Sequence, residues 1–410
     1  MKDGLYIAAL DLGSHTIRLV VAEWTKSAYH IVGVGTAPAV GIKKGTVVDI
    51  EAVEQGIRAA ADRAARMIDR PITAAVVGVG GPSVAVVETT GVVAVGRDDR
   101  EIRQDDVDRV IEAAKIVHLP PDRVIVDVVP TAYAVDGLSG VRDPRGMLGM
   151  RLEVRGRLVS AAKTAIHNTL RALDRAEVEP LALVLPAFGA GWAYLDPDAR
   201  RAGAVWIDMG AETTTVAVWQ DGELHDLVVL PFGGAYLTRD IAHGLATSED
   251  VAEGLKLKYG TSTVQEAADG VTFKVTPIGK SAATVVSQVE LAEIIEPRLV
   301  EMLALIREAL EERDAAAVPA GVAWSGGTVA LPGFLTVARE IVHPESRLAV
   351  PDQIGVREPG YAASIGMIEY AVRLGLLEAD PQAPRRRAGG GGSREAGFLA
   401  KVKSWLSELI

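Results

Sequence analysis

Cysteine is absent from the 410-residue chain, which removes disulfides, thiolate metal ligands and a cysteine nucleophile at once. Aromatic residues make up only 5%, and Asn168 is the single asparagine. The asparagine scarcity fits a heat-adapted or GC-biased source. No stretch reaches the 18 or so uninterrupted apolar residues of a bilayer-spanning helix. Met1-Lys2-Asp3 leads into a short strand-like run broken at Asp11, which does not read as a secretory signal, so the expected compartment is the cytosol. Positive charge is in deficit, with 43 Lys+Arg against 54 Asp+Glu for a net of −11. That balance excludes a general nucleic-acid binder, whose domain is normally basic.

What is present is 49% hydrophobic and 24% charged, the composition of a globular protein, at a length that suggests two to three domains. The charge is uneven. Residues 381–410 hold six cations (Arg385, Arg386, Arg387, Arg394, Lys401, Lys403) and two anions (Glu395, Glu408), a net of +4 that leaves −15 on residues 1–380. An acidic body with a basic end gives the end a separate task.

Apolar runs at Tyr6–Leu12 and Arg18–Trp24 flank Gly13-Ser14-His15 and predict a hairpin; Ala204–Asp208 and Thr214–Trp219 predict a second. Helical spacing is expected over 51–68, Asp105–Lys115, 163–175 and Val289–Glu312, the last interrupted or bent at Pro297. Short strands are expected at Ala74–Val79, Val124–Val129, Ala182–Leu185 and Val322–Trp324. Strands and helices alternate between frequent Gly and Pro, so the class is α/β. Gly279-Lys280-Ser281 lacks the upstream glycine of a P-loop, and Gly78–Ser83 lacks the last glycine of a dinucleotide fingerprint; both read as turns. The histidines show no metal-ligand spacing.

One long-range repeat carries chemistry. Asp11-Leu12-Gly13-Ser14-His15-Thr16 recurs as Asp208-Met209-Gly210-Ala211-Glu212-Thr213, with Asp, Gly and Thr in register and apolar strands on both sides. The glycine clears the Cβ that would block a phosphate. Successive turn N–H groups form an anion nest, and a strand-end Asp can hold hydrated Mg²⁺ against phosphate oxygens. Two such hairpins, one per lobe, could clamp one triphosphate in a cleft.

These turns, with Ser325-Gly326-Gly327 and Pro332-Gly333, resemble the two phosphate loops and the adenosine loop of the actin/Hsp70/sugar-kinase superfamily. Within it the chain resembles the FtsA family of bacterial cell-division proteins. The resemblance rests on Glu101-Ile102 through Val107–Ile111, Pro120–Arg123, Asp143–Met147, Arg151–Val154, Leu230–Gly234, and Ala252-Glu253 with Lys256 and Tyr259-Gly260. It implies an actin-like duplicated ATPase fold, two lobes around a nucleotide cleft with an inserted subdomain 1C. The implied division is 1A in three pieces (1–77, 160–198, 352–378), 1C (78–159), 2A in two pieces (199–226, 316–351), 2B (227–315), a flexible linker (379–395) and an amphipathic membrane-targeting helix (396–410).

By the same resemblance, Asp11, Gly13, Ser14, His15, Thr16 and Arg18 would hold ATP phosphates from the first lobe, Arg18 standing where the superfamily often has a lysine. Asp208, Gly210, Ala211, Thr213 and Thr214, with Gly233 and Gly234, would act from the second. Asp11 and Asp208 would hold Mg²⁺ through water. Glu253 and Lys256 would contact ribose and base, and Gly326, Gly327 and Thr328 would back the adenine. The chain departs from the family at Leu185, where a glutamate or glutamine normally orients the attacking water. Nucleotide binding with slow or negligible hydrolysis follows, at most a weak ATPase.

The C-terminal segment places Phe398, Leu399, Val402, Trp405, Leu406, Leu409 and Ile410 on one helical stripe, with Lys401 to the side. Residues 397–410 make about 21 Å of helix, short of the ~30 Å hydrocarbon core. Such a helix lies in the interface of an anionic membrane, or docks on the body or in a partner's groove; the 17-residue linker (379–395) makes docking on the body less natural. The resemblance favours the membrane. It implies a peripheral protein at the cytoplasmic face of the cell membrane at the division site. There it would polymerise head-to-tail and anchor the ring of the tubulin-like division protein FtsZ, whose C-terminal tail would bind 2B, possible further divisome partners included. The alternatives are a PilM-like pilus-assembly adaptor, or a soluble sugar or acetate kinase, which has no use for a lipid helix.

Overall fold

The computed structural model describes residues 5–25, 28–96, 98–373, 375–376 and 378–379. All but the first residue of the expected linker, and the whole expected membrane helix with Phe398, Leu399, Lys401, Val402, Trp405, Leu406, Leu409 and Ile410, lie outside the described residues.

Strands β1 (Leu5–Leu12), β2 (Thr16–Thr25) and β3 (Ala28–Pro38) form an antiparallel meander. A small hairpin, β4 (Ile42–Lys43) and β5 (Thr46–Val47), follows. Helix α1 (Ile50–Ile68) starts where the Asp49 carboxylate accepts the Ala52 N–H at 3.1 Å, and it buries Val53, Ile57, Ala60 and Ala64 at three- and four-residue steps. Strand β6 (Ala74–Gly78) then joins β1 in parallel.

A separate antiparallel sheet is inserted next. Strands β7 (Ala85–Ala94), β8 (Arg123–Val135), β9 (Leu138–Val141) and β10 (Arg151–Ala162) pair in the order β7-β10-β8-β9. Helix α2 (Gln104–Ala114) packs Val107, Val110 and Ala114 against Leu152, Val154 and Leu158, a core distinct from those of the two lobes. The chain returns through α3 (Lys163–Arg175) to β11 (Glu179–Val184), parallel to β6. Helices α4 (Pro186–Tyr194) and α5 (Pro197–Ala202) carry it to the second lobe.

There β12 (Ala204–Met209), β13 (Thr214–Gln220) and β14 (Glu223–Leu230) repeat the meander. Helices α6 (Gly234–Gly244) and α7 (Glu249–Tyr259), the hairpin β15 (Thr272–Val275) and β16 (Thr284–Ser287), and α8 (Gln288–Glu311) follow. Strand β17 (Val322–Ser325), helix α9 (Phe334–Ile341) and strand β18 (Ser346–Leu348) complete the sheet. Helix α10 (Ala362–Arg373) closes on the first lobe, and β19 (Glu378–Ala379) pairs with β1.

The duplication inferred from two short turns extends to whole sheets. One runs β3-β2-β1-β6-β11 and the other β14-β13-β12-β17-β18. In each, an antiparallel meander is extended from its first strand by parallel strands. This is the expected actin-like two-lobed α/β fold.

Pro297 does not interrupt α8, which is one helix from Gln288 to Glu311. A proline inside a helix costs about 3 kcal/mol. Burial of Leu291, Ile295, Leu299, Met302, Leu303, Ile306 and Leu310 along that helix, with a capping box from Ser287 and Glu290, outweighs it. Helix α4 has no apolar periodicity in sequence because it is buried along most of its length. Its Gly189 meets Gly366 of α10 so closely that a Cβ on Gly189 would lie 1.8 Å from the Gly366 carbonyl oxygen.

Asp127 ties the inserted sheet to the first lobe. Its carboxylate accepts the Tyr370 hydroxyl of α10 and the Val128 N–H at 2.8 Å. Burial pushes its pKa up, against the pull of the Tyr370 and Val128 bonds and of Lys115. Because the folded pKa is raised, ionisation costs stability as pH rises through it. Asp127→Asn removes that cost and keeps both bonds, since a tyrosine hydroxyl can also accept. Its melting temperature at pH 7 is expected to equal or exceed the native value, with the advantage gone near pH 4. Destabilisation as large as that of Asp127→Ala would contradict this.

Candidate functional site

The two repeated turns meet between the lobes. On the first, Asp11 and Arg18 face each other across β1 and β2, with Asp11 Oδ2 3.7 Å from Arg18 Nη1. The Arg18 guanidinium also lies 5.5 Å above the Tyr361 ring. Gly13 is required by close approach: a Cβ would lie 2.8 Å from the Thr16 carbonyl oxygen. The Ser14 hydroxyl accepts the Gly45 N–H at 2.9 Å, which fixes the β4–β5 turn against the Gly13–Thr16 turn. His15 is exposed.

On the second, the Gly210 N–H donates to the Thr213 carbonyl at 2.9 Å and closes the turn. The Ser325 hydroxyl donates to Asp208 Oδ1 at 2.9 Å. Thr328 donates its hydroxyl to the Gly210 carbonyl at 2.8 Å. The first N–H groups of α6 reach the same turn, Gly234 to the Gly210 carbonyl at 2.9 Å and Ala235 to the Ala211 carbonyl at 2.8 Å, with Gly233 as the preceding cap. Thr214 stands behind the turn, fully buried, with its hydroxyl donated to the Phe232 carbonyl at 2.9 Å.

Glu253 and Lys256 form one polar knot on α7. Lys256 Nζ lies 2.7 Å from Glu253 Oε2 and donates to the Thr238 hydroxyl at 2.8 Å and the Gly234 carbonyl at 3.1 Å. Burial alone would raise the Glu253 pKa; Lys256, Thr238 and His15 outweigh it and hold the carboxyl below its ordinary value. Gly326 takes φ +97°, which any side chain would strain, and its neighbour Gly327 looks into open space, with nothing within 4 Å of a Cβ.

Asp11 and Asp208 give the site its electrostatics. Burial lifts the Asp11 carboxyl to about 6, against the pull of Arg18 and with a further push from Asp208. Burial also raises Asp208, against the Ser325 bond and Arg18. Arg18 offsets part of the charge of both carboxylates, and their oxygens are donors of the kind that suit Mg²⁺. Leu185 is only 3% exposed and precedes α4 as part of the core; it offers no polar group to water.

Four participants, Ser325, Tyr361, Glu212 and Lys44, were not among the site residues expected from the sequence. Ser325 orients Asp208, Tyr361 shelves Arg18, and Glu212 Oε2 accepts the Lys44 N–H at 2.6 Å, a bond from the Gly210–Thr213 turn to the β4–β5 turn of the opposite lobe. Of these, Glu212 and Ser325 had a signal, since they lie inside the repeated turn and beside the glycine pair.

A family model for the SHS2 domain inserted in FtsA matches residues 81–160, and the model for the cell division protein FtsA matches residues 205–366. The cell division protein FtsA of Bacillus subtilis is 40% identical over 374 residues, covering 91% of this chain and 85% of that protein. The chain belongs to the FtsA family. The FtsA of Neisseria meningitidis is 32% identical over 411 residues, 98% of each chain. Among solved structures, a PilM–PilN type IV pilus biogenesis complex matches with a TM-score of 0.62 at 17% identity, over 90% of this chain and 98% of that one. An MreB protein of Spiroplasma citri bound to ADP matches with a TM-score of 0.54 at 12% identity, over 90% and 97%. At these identities both speak for the fold alone. No helix among the described residues is long and apolar enough to cross a membrane.

Proposed function

We propose that this FtsA-family protein binds Mg-ATP between its lobes, polymerises on the cytoplasmic face of the cell membrane through its C-terminal helix, and anchors FtsZ there, with slow or negligible hydrolysis. The observation that carries the nucleotide reading is the facing pair of enclosed carboxylates, Asp11 and Asp208, each at the end of a strand that opens into a glycine turn. The donor set fits a hydrated Mg²⁺, which would neutralise phosphate charge. The backbone of Gly13–Thr16 and Gly210–Thr213 would cradle the phosphates, with Arg18 beside them. Glu253 and Lys256 would meet the ribose and base, and the open face of Gly327 would take the adenine.

Leu185 supports the slow turnover, because phosphoryl transfer to water needs a positioned nucleophile as well as charge stabilisation. The subdomain division given above, with 2B at 227–315 as the FtsZ-tail surface and 1C at 78–159 as a filament contact, is part of this proposal. Calorimetric titration of the full chain with Mg-ATP tests it: one site per chain is expected, with hydrolysis far below the ~10 s⁻¹ of a typical enzyme. No heat at millimolar Mg-ATP, or turnover at that typical rate, would overturn it.

Glu212 supplies a second check. Its bond to Lys44 straps the phosphate end of the cleft across both lobes. Loss of one charge-assisted hydrogen bond in Glu212→Ala, worth about 1 kcal/mol at a partly exposed site, is expected to speed nucleotide release about fivefold. Glu212→Gln keeps an acceptor and should release at close to the native rate. Stopped-flow displacement of a fluorescent ATP analogue reads both rates, and identical release from all three proteins would show that the strap does not hold the nucleotide.

A further inference from the structure

A cavity of about 550 Å³ opens at the far end of the elements that carry the candidate site. Strand β12 runs from Ala204 near the cavity to Met209 at the second turn, and α10 runs from Ala362 beside Tyr361 to Arg373 on the cavity wall. Five residue steps along β12 at ~3.3 Å each put the two sites about 17 Å apart. Trp192 and Tyr194 of α4 and Asp196 and Arg200 around α5 line it from the crossing between the lobes, with Arg347 from the second lobe and Arg373 from the first.

Three arginines share this lining with one carboxylate, in a chain whose net charge is −11. Arg200 is only 9% exposed, and its Nη1 donates to the carbonyls of Gly191 at 3.0 Å and Leu195. Arg347 donates to the Ala320 carbonyl at 3.2 Å and the Tyr194 carbonyl at 3.4 Å. Neither forms an ion pair among the described residues. Arg373 pairs with Glu369 at 3.1 Å and lies 4.7 Å above the Trp192 ring. Asp196, the only carboxylate of the lining, caps α5 by accepting the Ala199 N–H at 2.8 Å and offsets part of the charge of Arg347 and Arg200. Burial, and then the neighbouring Arg373, hold the Arg200 pKa below its ordinary value, as expected for crowded like charges.

Enclosed charges normally have counter-ions, and guanidinium forks favour carboxylates and phosphates. Each guanidinium carries five N–H donors, and the bonds above leave several on each free for a ligand. We propose that this cavity binds an acidic peptide segment of a protein partner, its carboxylates held by Arg200, Arg347 and Arg373. A lone phosphate would leave most of the volume empty, whereas the size suits a drug-sized ligand or a few side chains. The chain's own C-terminal segment, at a net of +4, is excluded by its charge. The site is separate from the nucleotide cleft, so its test needs no nucleotide.

The probe is a rhodamine-labelled, end-blocked tetraglutamate peptide, titrated at low salt into the full chain and read by fluorescence anisotropy. Arg373→Gln, whose side chain is 46% exposed and safe for folding, should weaken binding about tenfold, and Arg347→Gln likewise. Glu369→Gln, which frees Arg373, should tighten it. Arg63→Gln, remote from the cavity, should leave it unchanged. The basic C-terminal segment is the same in every variant, so its own attraction cancels in the comparison. Equal affinities across the native chain, Arg347→Gln and Arg373→Gln would overturn the proposal, as would absence of binding. Displacement of the peptide by inorganic phosphate at equal concentration would assign the cavity to a free small anion and overturn the peptide.

Discussion

Asp208→Asn is expected to weaken Mg-ATP binding about thirtyfold or more. The substitution keeps the volume and an oxygen for the Ser325 hydroxyl, so the fold survives, but it removes one of the two negative charges that would face the metal. Removing one partner of an enclosed charge set costs about 2–5 kcal/mol, and 1.4 kcal/mol is tenfold in affinity. The exposed Asp198, on α5, gives the matched control: Asp198→Asn should bind as the native chain does. Calorimetry compares the three proteins, and native affinity in Asp208→Asn would remove the carboxylate pair from the site.

Ending the chain at Pro384 is expected to abolish co-sedimentation with anionic liposomes. The deleted segment carries the whole stripe of Phe398, Leu399, Val402, Trp405, Leu406, Leu409 and Ile410, together with Arg385–Arg387, Lys401 and Lys403. Each cation near an anionic surface adds about 1 kcal/mol, so neutral vesicles should bind the full chain far more weakly than anionic ones. A single short helix binds modestly, so Mg-ATP should increase pelleting if nucleotide promotes assembly and thereby avidity. Trp405→Glu, which puts a charge in the apolar stripe, should behave like the truncation. If the truncated chain pellets as well as the full one, the membrane contact lies elsewhere.

What could be read from the sequence follows the range of the interactions. Hairpins β1–β2 and β12–β13 were legible because alternation, turn glycines and strand-end aspartates lie within a dozen residues of each other. The matching turns then implied the duplication, and both sheets share it. Glu253 and Lys256 were legible as one helical turn, and the structure joins them at 2.7 Å.

The unread parts depend on distant segments. Lys44 and Glu212 are 168 residues apart, Ser325 and Asp208 are 117 apart, and Asp127 and Tyr370 are 243 apart. No local pattern marks such pairs; packing of the lobes and the inserted sheet makes them. Helix α4 escaped notice for a related reason. Gly189 and Gly191 suggest a loop by propensity, yet they are there to admit Gly366 and the Trp219 ring. Thr214 looked like a ligand contact from its place beside Thr213, but a one-residue step along a strand reverses the face, and it points into the core.

One chain is proposed to join FtsZ to lipid. The most direct measurement mixes purified FtsZ, anionic liposomes and Mg-ATP with either the full chain or the chain ending at Pro384, and follows FtsZ by sedimentation. FtsZ is expected in the lipid pellet with the full chain and in the supernatant with the truncated one. FtsZ left in the supernatant while the full chain pellets with lipid would contradict the claim.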